Sequence, residues 1–308
     1  DGREQETIGL IGDRLTDLAV GFLQAEDPRP FVLSLHYRSP HSPYLPVAEE
    51  DAAPFRDKSL PLPDTDFPGL DHEEVQRRYT EYLSSVSGID RNVGEVLRVL
   101  EEKALRENTI VIFSSDHGYN IGHHGLIHKG NARHTTLHAK LRREAGEDTT
   151  RPNMFDTSLR VPLIVRWPGR LEAGHRVKHC VTNLDWFPTL LAMAGVTLPE
   201  ETAPRGRDFL PLLEGKQVPW EDSFYGQYSI RHYTQADLRM WRTPEWKLVR
   251  DLRNPGRDEL YHLAEDPDER LNLIASPEAW PQYEILNQQL LDAMERVADP
   301  MLEVARQV

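Results

Sequence analysis

Between Asp116 and Lys129 the chain gathers four histidines, three glycines, one aspartate and one lysine into one short stretch, Asp-His-Gly-Tyr-Asn-Ile-Gly-His-His-Gly-Leu-Ile-His-Lys. Asp116 and His117 are consecutive, so a carboxylate oxygen and an imidazole nitrogen can turn into one crevice and coordinate a divalent cation. Gly118, Gly122 and Gly125 permit turns and close backbone approaches that a Cβ would forbid. Lys129 returns a fixed positive charge, the group expected where an anion binds and charge develops on oxygen. A second polar group, Ser39-Pro40-His41-Ser42-Pro43, places another histidine in a proline-rich loop. No H-E-x-x-H or paired Cys-x-x-Cys supports a zinc site of those kinds. Cys180, the one cysteine, reads as a small buried hydrophobe rather than a nucleophile.

These groups need elements to position them. Ile11, Leu15, Leu18 and Phe22 fall at spacings of four, three and four, which predicts a helix that ends before Pro28. Phe31 to His36 follows as a short apolar run and is expected to be a strand, with Ser39 to Pro43 just beyond its end. A long irregular excursion, Tyr37 to Gly69, precedes a second helix marked by Val75, Tyr79, Tyr82, Val86, Ile89, Val93, Val96 and Leu100. That helix leads into Asn108 to Ser115, an almost wholly apolar strand that needs cover on both faces, as in a parallel sheet. A third strand is expected at Arg160 to Arg166 and a helix at Leu184 to Ala194, stopped by Gly195. In an open α/β sheet ligands collect at the carboxyl ends of the strands, and both polar groups fall there.

Beyond Gly215 the texture changes. Ser223 to Tyr228, Met240 to Trp246, Lys247 to Leu252 and Glu259 to Leu263 read as antiparallel strands, and Trp280 to Val297 as a closing amphipathic helix. The expected fold is therefore α/β, a mostly parallel sheet flanked by helices over residues 1–217, followed by a smaller α+β part over 218–308 with an antiparallel sheet and a C-terminal helix.

The 308 residues carry 36 Lys+Arg against 50 Asp+Glu, a formal charge of -14, which opposes a nonspecific grip on nucleic acid or an anionic membrane. No apolar run approaches the roughly 18 residues of a membrane span. One cysteine excludes an internal disulfide framework. The segment Gly130 to Pro152 adds Asn131, Arg133, His134, His138, Lys140, Arg142 and Arg143 beside the polar cluster, which suits an anionic substrate.

Several separated stretches resemble the type I sulfatases of the alkaline-phosphatase superfamily. They are Asp90-Arg91-Asn92-Val93-Gly94 with Leu97, Asn108 to Gly118, Gly122-His123-His124-Gly125 through Lys129, Arg160 to Val165 with Pro168-Gly169, and Asp185 with Pro188 to Leu191 and Ala194-Gly195. Trp246-Lys247-Leu248, Glu259 to Leu263 and Asp266-Pro267 extend the likeness to the last third. The resemblance implies that Asp116 and His117 are ligands of an active-site Ca2+. Since calcium prefers oxygen, a histidine there leaves room for another divalent metal. It implies further that His41 contacts the sulfate ester and donates a proton to the leaving oxygen, and that Lys129 binds the sulfate and leaving-group oxygens. His128, Asn131 and Arg133 are expected to contact substrate.

The family converts the cysteine or serine of a C/S-x-P-x-R motif to formylglycine, whose hydrate attacks sulfur, and these residues hold no such motif. The family's paired aspartates and its Lys-x-His are missing as well. The chain is thus expected to be the carboxyl-terminal part of a sulfatase, partnered by a missing amino-terminal segment and inactive alone, with sulfated small molecules or carbohydrates as substrates. The resemblance also implies a location outside the cytoplasm: periplasmic, secreted or lysosomal. Two other readings stay open: a phosphodiesterase or phosphonate hydrolase of the same superfamily, and a noncatalytic remnant or binding subunit.

Overall fold

The computed structural model describes residues 6–25, 27–130, 144, 152–198, 202–232 and 234–307. Helix α1 (Ile11–Gln24) buries Thr16, Ala19 and Leu23, three positions of one helical face. It packs on α2 (His72–Glu102), which starts where the Asp71 carboxylate accepts the Glu74 N–H, with Glu73 and Glu74 in its first turn. Leu23, Val99 and Leu100 form a small core with Val20, Leu33, Val96 and Val111 around them. From α2 the chain runs into β1 (Val111–Ser114), then through the polar cluster to the one-turn helix α3 (Asp156–Leu159) and β2 (Leu163–Arg166). Helix α4 (Trp186–Met193) follows directly on a single turn, Asn183–Asp185, that Thr182 and Asp185 close in a reciprocal capping box.

The expected mostly parallel sheet is not what the described residues form. β1 and β2 pair antiparallel, Val111 opposite Arg166 through Ser114 opposite Leu163. Phe31 to His36, expected as a strand, joins no ladder among the described residues. An apolar run states that a segment seeks cover, but strand direction depends on the path by which a distant partner returns. Here β2 returns through α3 and runs back along β1. The cover expected on both faces of β1 is also incomplete: Ile112 and Phe113 are partly open, Ile164 is 60% exposed, and Val32 is 95% exposed.

The C-terminal part meets its expectation of an antiparallel sheet and a closing helix. β3 (Phe224–Arg231), β4 (Gln235–Arg242), β5 (Trp246–Asp251) and β6 (Glu259–His262) form a meander in chain order. Trp241 lies opposite Leu248, and Leu248 opposite Leu260, on a face covered by α5 (Trp280–Arg296) and α6 (Leu302–Gln307). Met240 and Val249 pair on the other face, where Met154 covers them.

A buried charge network bolts this sheet to α3. The Lys247 ammonium, 0% exposed, donates to the Met154 carbonyl at 3.0 Å and lies 2.5 Å from Asp156 and 2.6 Å from Glu269. Arg242 closes on Asp156 at 2.8 Å, and Glu269 accepts the Asp156 N–H. Burial pushes the Asp156 carboxyl up, but the Arg242 hydrogen bond and the Lys247 charge outweigh it and hold it at about 2. Burial pushes Glu269 up despite Lys247.

Candidate active site

The loop after β1 is fastened to α3 along its length. Gly118 donates its N–H to the Ser158 carbonyl at 2.8 Å, and a Cβ at Gly118 would sit 2.2 Å from the Thr157 carbonyl oxygen, so the approach requires glycine. Buried Asn120 donates to Ser158 Oγ at 3.0 Å, accepts from Thr157 Oγ1 at 2.7 Å, and takes the His128 carbonyl through its own N–H at 3.1 Å. At the far end Asn153 donates its N–H to Gly130 at 2.7 Å. The loop's two ends, and with them Asp116 and Lys129, are therefore set by α3 and by Asn153 just ahead of it, whose side-chain oxygen accepts from Ser158 Oγ of α3 at 2.8 Å.

Three of the residues singled out in the sequence meet at one point. Lys129 Nζ lies 3.1 Å from His117 Nε2 and 3.3 Å from His41 Nε2. The other ring nitrogens are also engaged: His41 Nδ1 lies 2.6 Å from the Ser42 carbonyl and His117 Nδ1 lies 3.0 Å from the Gly118 carbonyl. A carbonyl only accepts, so both Nδ1 atoms carry the hydrogen and both Nε2 lone pairs accept from the ammonium. The arrangement is a cation held by two neutral bases. It can present positive charge to an anion and can pass a proton to an oxygen placed beside it.

Asp116 stands at the rim, its side chain 84% exposed. One carboxylate oxygen accepts the His117 N–H at 3.0 Å and the other lies 3.6 Å from His117 Nε2. An oxygen and an imidazole nitrogen side by side would fit two positions of a divalent-cation shell once the His117 Nε2 lone pair turns from the Lys129 ammonium to the metal. Among the described residues no third acidic, histidine or cysteine donor joins them, so the pair fits half a site.

His128 keeps its ring edge-on to Tyr119 at 6.4 Å, beside the same centre. Asn131 and Arg133 lie outside the described residues. Burial pushes the half-buried Cys180 thiol up, and its N–H is spent on Asp222, which suits no nucleophile. His124 serves the fold: it stacks on Phe155 at 3.7 Å, donates its backbone N–H to Asp64 at 2.8 Å, and burial holds its imidazole down at about 4.

Sequence reasoning passed over Tyr119. Its ring lies among His41, His117 and His128, and its hydroxyl accepts the Ser42 N–H at 3.3 Å. Its place directly after Asp-His-Gly was the one available signal. Asp64, which receives the His124 N–H across the long excursion, gave none.

The family model described as "Sulfatase" matches residues 7–196, and "N-sulphoglucosamine sulphohydrolase, C-terminal" matches residues 150–298. The uncharacterized sulfatase YidJ of Escherichia coli (strain K12) is 30% identical over 93% of this chain and 56% of its own length. The steryl-sulfatase of Homo sapiens is 27% identical over 96% of this chain and 49% of its own. The chain thus spans about half the length of the curated relatives it matches. The solved structure of BT4656 in complex with its substrate D-glucosamine-2-N,6-O-disulfate superposes with a TM-score of 0.81 at 22% identity, covering 97% of this chain and 72% of that one. The sulfatase model alone accounts for more than half of the residues: the chain belongs to the sulfatase family of the alkaline-phosphatase superfamily.

Proposed function

We propose that this chain supplies the leaving-group and anion-binding side of a sulfate ester hydrolase. The observation that carries the reading is the Lys129 ammonium between the Nε2 atoms of His41 and His117. Lys129 holds the sulfate and the bridging oxygen by charge. As the S–O bond to that oxygen breaks, the oxygen takes a proton from the His41 and Lys129 pair, so no bare alkoxide departs. Asp116 and His117 would hold a divalent cation, Ca2+ or another, with the His117 Nε2 lone pair passing from the Lys129 ammonium to the metal, and the bound cation would draw charge from the sulfate oxygens. The imidazole donor also favours a second reading, a phosphoryl ester substrate with zinc or manganese in place of calcium.

The nucleophile, a formylglycine, comes from sequence outside these 308 residues. In support, the chain lacks C/S-x-P-x-R, spans about half of its relatives, and leaves Ile112, Phe113 and Ile164 short of cover. Residues 1–217 form the catalytic part and 218–308 a C-terminal subdomain. His128, Asn131 and Arg133 contact the substrate, a sulfated carbohydrate, in keeping with the matched N-sulphoglucosamine sulphohydrolase model and the disulfated glucosamine bound by BT4656. The protein works outside the cytoplasm, and among the described residues no helix is long and apolar enough to cross a membrane.

Denaturing mass spectrometry of the protein from its native source, paired with turnover assays, tests this. The expected result is a longer chain or a copurifying fragment bearing formylglycine, active on sulfated glucosamine. A chain that starts at Asp1, travels alone and turns over nothing sinks the hydrolase reading. Turnover of phosphate diesters above sulfate esters selects the second.

A further inference from the structure

The mechanism above leaves one aromatic residue unused at its centre. Tyr119 has ring neighbours on every side: His117 at 5.9 Å, His41 at 6.3 Å, His128 at 6.4 Å, Tyr44 at 6.1 Å and Tyr82 at 5.9 Å. Tyr44 is buried and Tyr82 lies against it at 5.8 Å, so two aromatic rings back Tyr119 and fix where its hydroxyl can go. That hydroxyl accepts the N–H of Ser42, in the loop that carries His41. Ser42 in turn offers its carbonyl to His41 Nδ1.

We propose that Tyr119 is a positioning residue for His41: its hydroxyl fixes the Ser42 residue whose carbonyl selects the Nδ1–H tautomer, and so aims the His41 Nε2 lone pair at Lys129. The inference rests on the sulfate-ester reading only for its catalytic consequence. The two histidines differ in how they are held. His117 is oriented by Gly118, its own neighbour in the loop fastened to α3, and needs nothing from the Tyr119 hydroxyl. Among the described residues the His41 loop shows no such fastening to α3, and His41 reaches across the molecule to Lys129 and the Tyr119 ring. A second-residue hydrogen bond that fixes a histidine tautomer is a recurrent way of preparing an imidazole for proton transfer or ligation.

Tyr119→Phe keeps the ring and removes the hydroxyl. Long-range 1H–15N spectra of the full chain labelled with [15N]histidine report the tautomer of each ring, with His41→Gln and His117→Gln to assign the signals. In the unmodified chain both rings are expected to show the Nδ1–H pattern. In Tyr119→Phe, His41 is expected to average between tautomers while His117 keeps its pattern. Unchanged spectra for both overturn the proposal, and loss of both patterns overturns it too, because that result means a general loosening of the centre. In the complete enzyme the same variant is expected to lower kcat about tenfold with KM within about twofold, the size of one lost hydrogen bond acting on the proton-transfer geometry. A KM effect without a kcat effect contradicts the positioning role. If the complete enzyme turns over no sulfate ester, the hydrolase reading fails while the tautomer result stands by itself.

Discussion

In the four-stranded sheet Leu238, Met240 and Leu248 are fully buried and Leu260 nearly so, whereas in the two-stranded sheet Ile112, Phe113 and Ile164 stay open to solvent. The first sheet has α5 and α6 on one face and Met154 with its neighbours on the other, so both faces are closed by this chain's own residues. The second has α1 and α2 on part of one face through Val111. Yet the loop leaving β1 of the second carries Asp116, His117, His128 and Lys129, with His41 brought in from a separate loop. Stability and chemistry are thus lodged in different places, and the Lys247, Asp156, Glu269 and Arg242 network joins them. Since α3 and Asn153 just ahead of it also fasten the loop at Gly118, Asn120 and Gly130, the well-packed sheet steadies the site through this short segment.

The largest expected effect breaks that joint. Lys247→Met leaves Asp156 and Glu269 buried without their shared ammonium, and denaturant unfolding should show a loss of about 3–5 kcal/mol. A loss below about 1 kcal/mol would mean that Arg242 alone suffices to hold the two regions together. Lys129→Ala in the complete enzyme should cut kcat by about 10²–10³-fold, roughly 3–4 kcal/mol of barrier, while the unfolding midpoint stays put. Should the midpoint fall instead, Lys129 belongs to the frame and the separation of chemistry from stability is wrong.

Leu290→Ala, which opens a cavity under the four-stranded sheet, is expected to cost about 3 kcal/mol in the same unfolding measurement. A smaller term comes from acid. Asp156 is held at about 2, below its ordinary 3.8, so its contribution of about 2 kcal/mol is present above pH 3.8 and drains away as pH falls toward 2. Glu269 runs the other way, since its carboxyl is pushed up and its ionisation costs stability as pH rises past 4.5. Asp156→Asn should therefore flatten the acid limb of a stability profile, and an unchanged limb would show that the loss has another origin. The smallest effect sharpens the contrast most: Ile164→Ala should change the stability of this chain by no more than about 0.5 kcal/mol. A cost like that of Leu290→Ala would show that the open sheet is covered in solution.

Much of this was legible in the residues. The expected helix from Ile11 is Ile11–Gln24, that from Val75 is His72–Glu102, and that from Trp280 ends at Arg296. A helix writes its buried face at a local spacing, so local reading finds it. Strand partners are nonlocal, which is why Asn108 to Ser115 discloses a strand but not its antiparallel mate at Leu163. The hairpin at β3 and β4 was misread for a related reason: Met240 to Trp246 straddles the end of β4 and the turn at Thr243, because most of β4 is polar or small to the eye yet buried on both faces. At the site, residue type brought out His41, Asp116, His117, His128 and Lys129, whereas Tyr119 does its work through a hydroxyl and a peptide N–H forty-two residues into the chain, a relation no spacing encodes.

The ammonium of Lys129 rests on two uncharged nitrogen lone pairs, and among the described residues no carboxylate lies within ion-pair distance of it. An incoming dianion therefore has no resident anion to displace and keeps the full attraction of an unneutralised cation. The same feature gives the proposed hydrolase a weakness. Inorganic sulfate released by the reaction, or phosphate from the medium, meets the same welcome as substrate, so charge alone does not separate what should leave from what should enter. Turnover would then be paced by escape of the product anion, and discrimination would fall to the parts of the substrate beyond its sulfate.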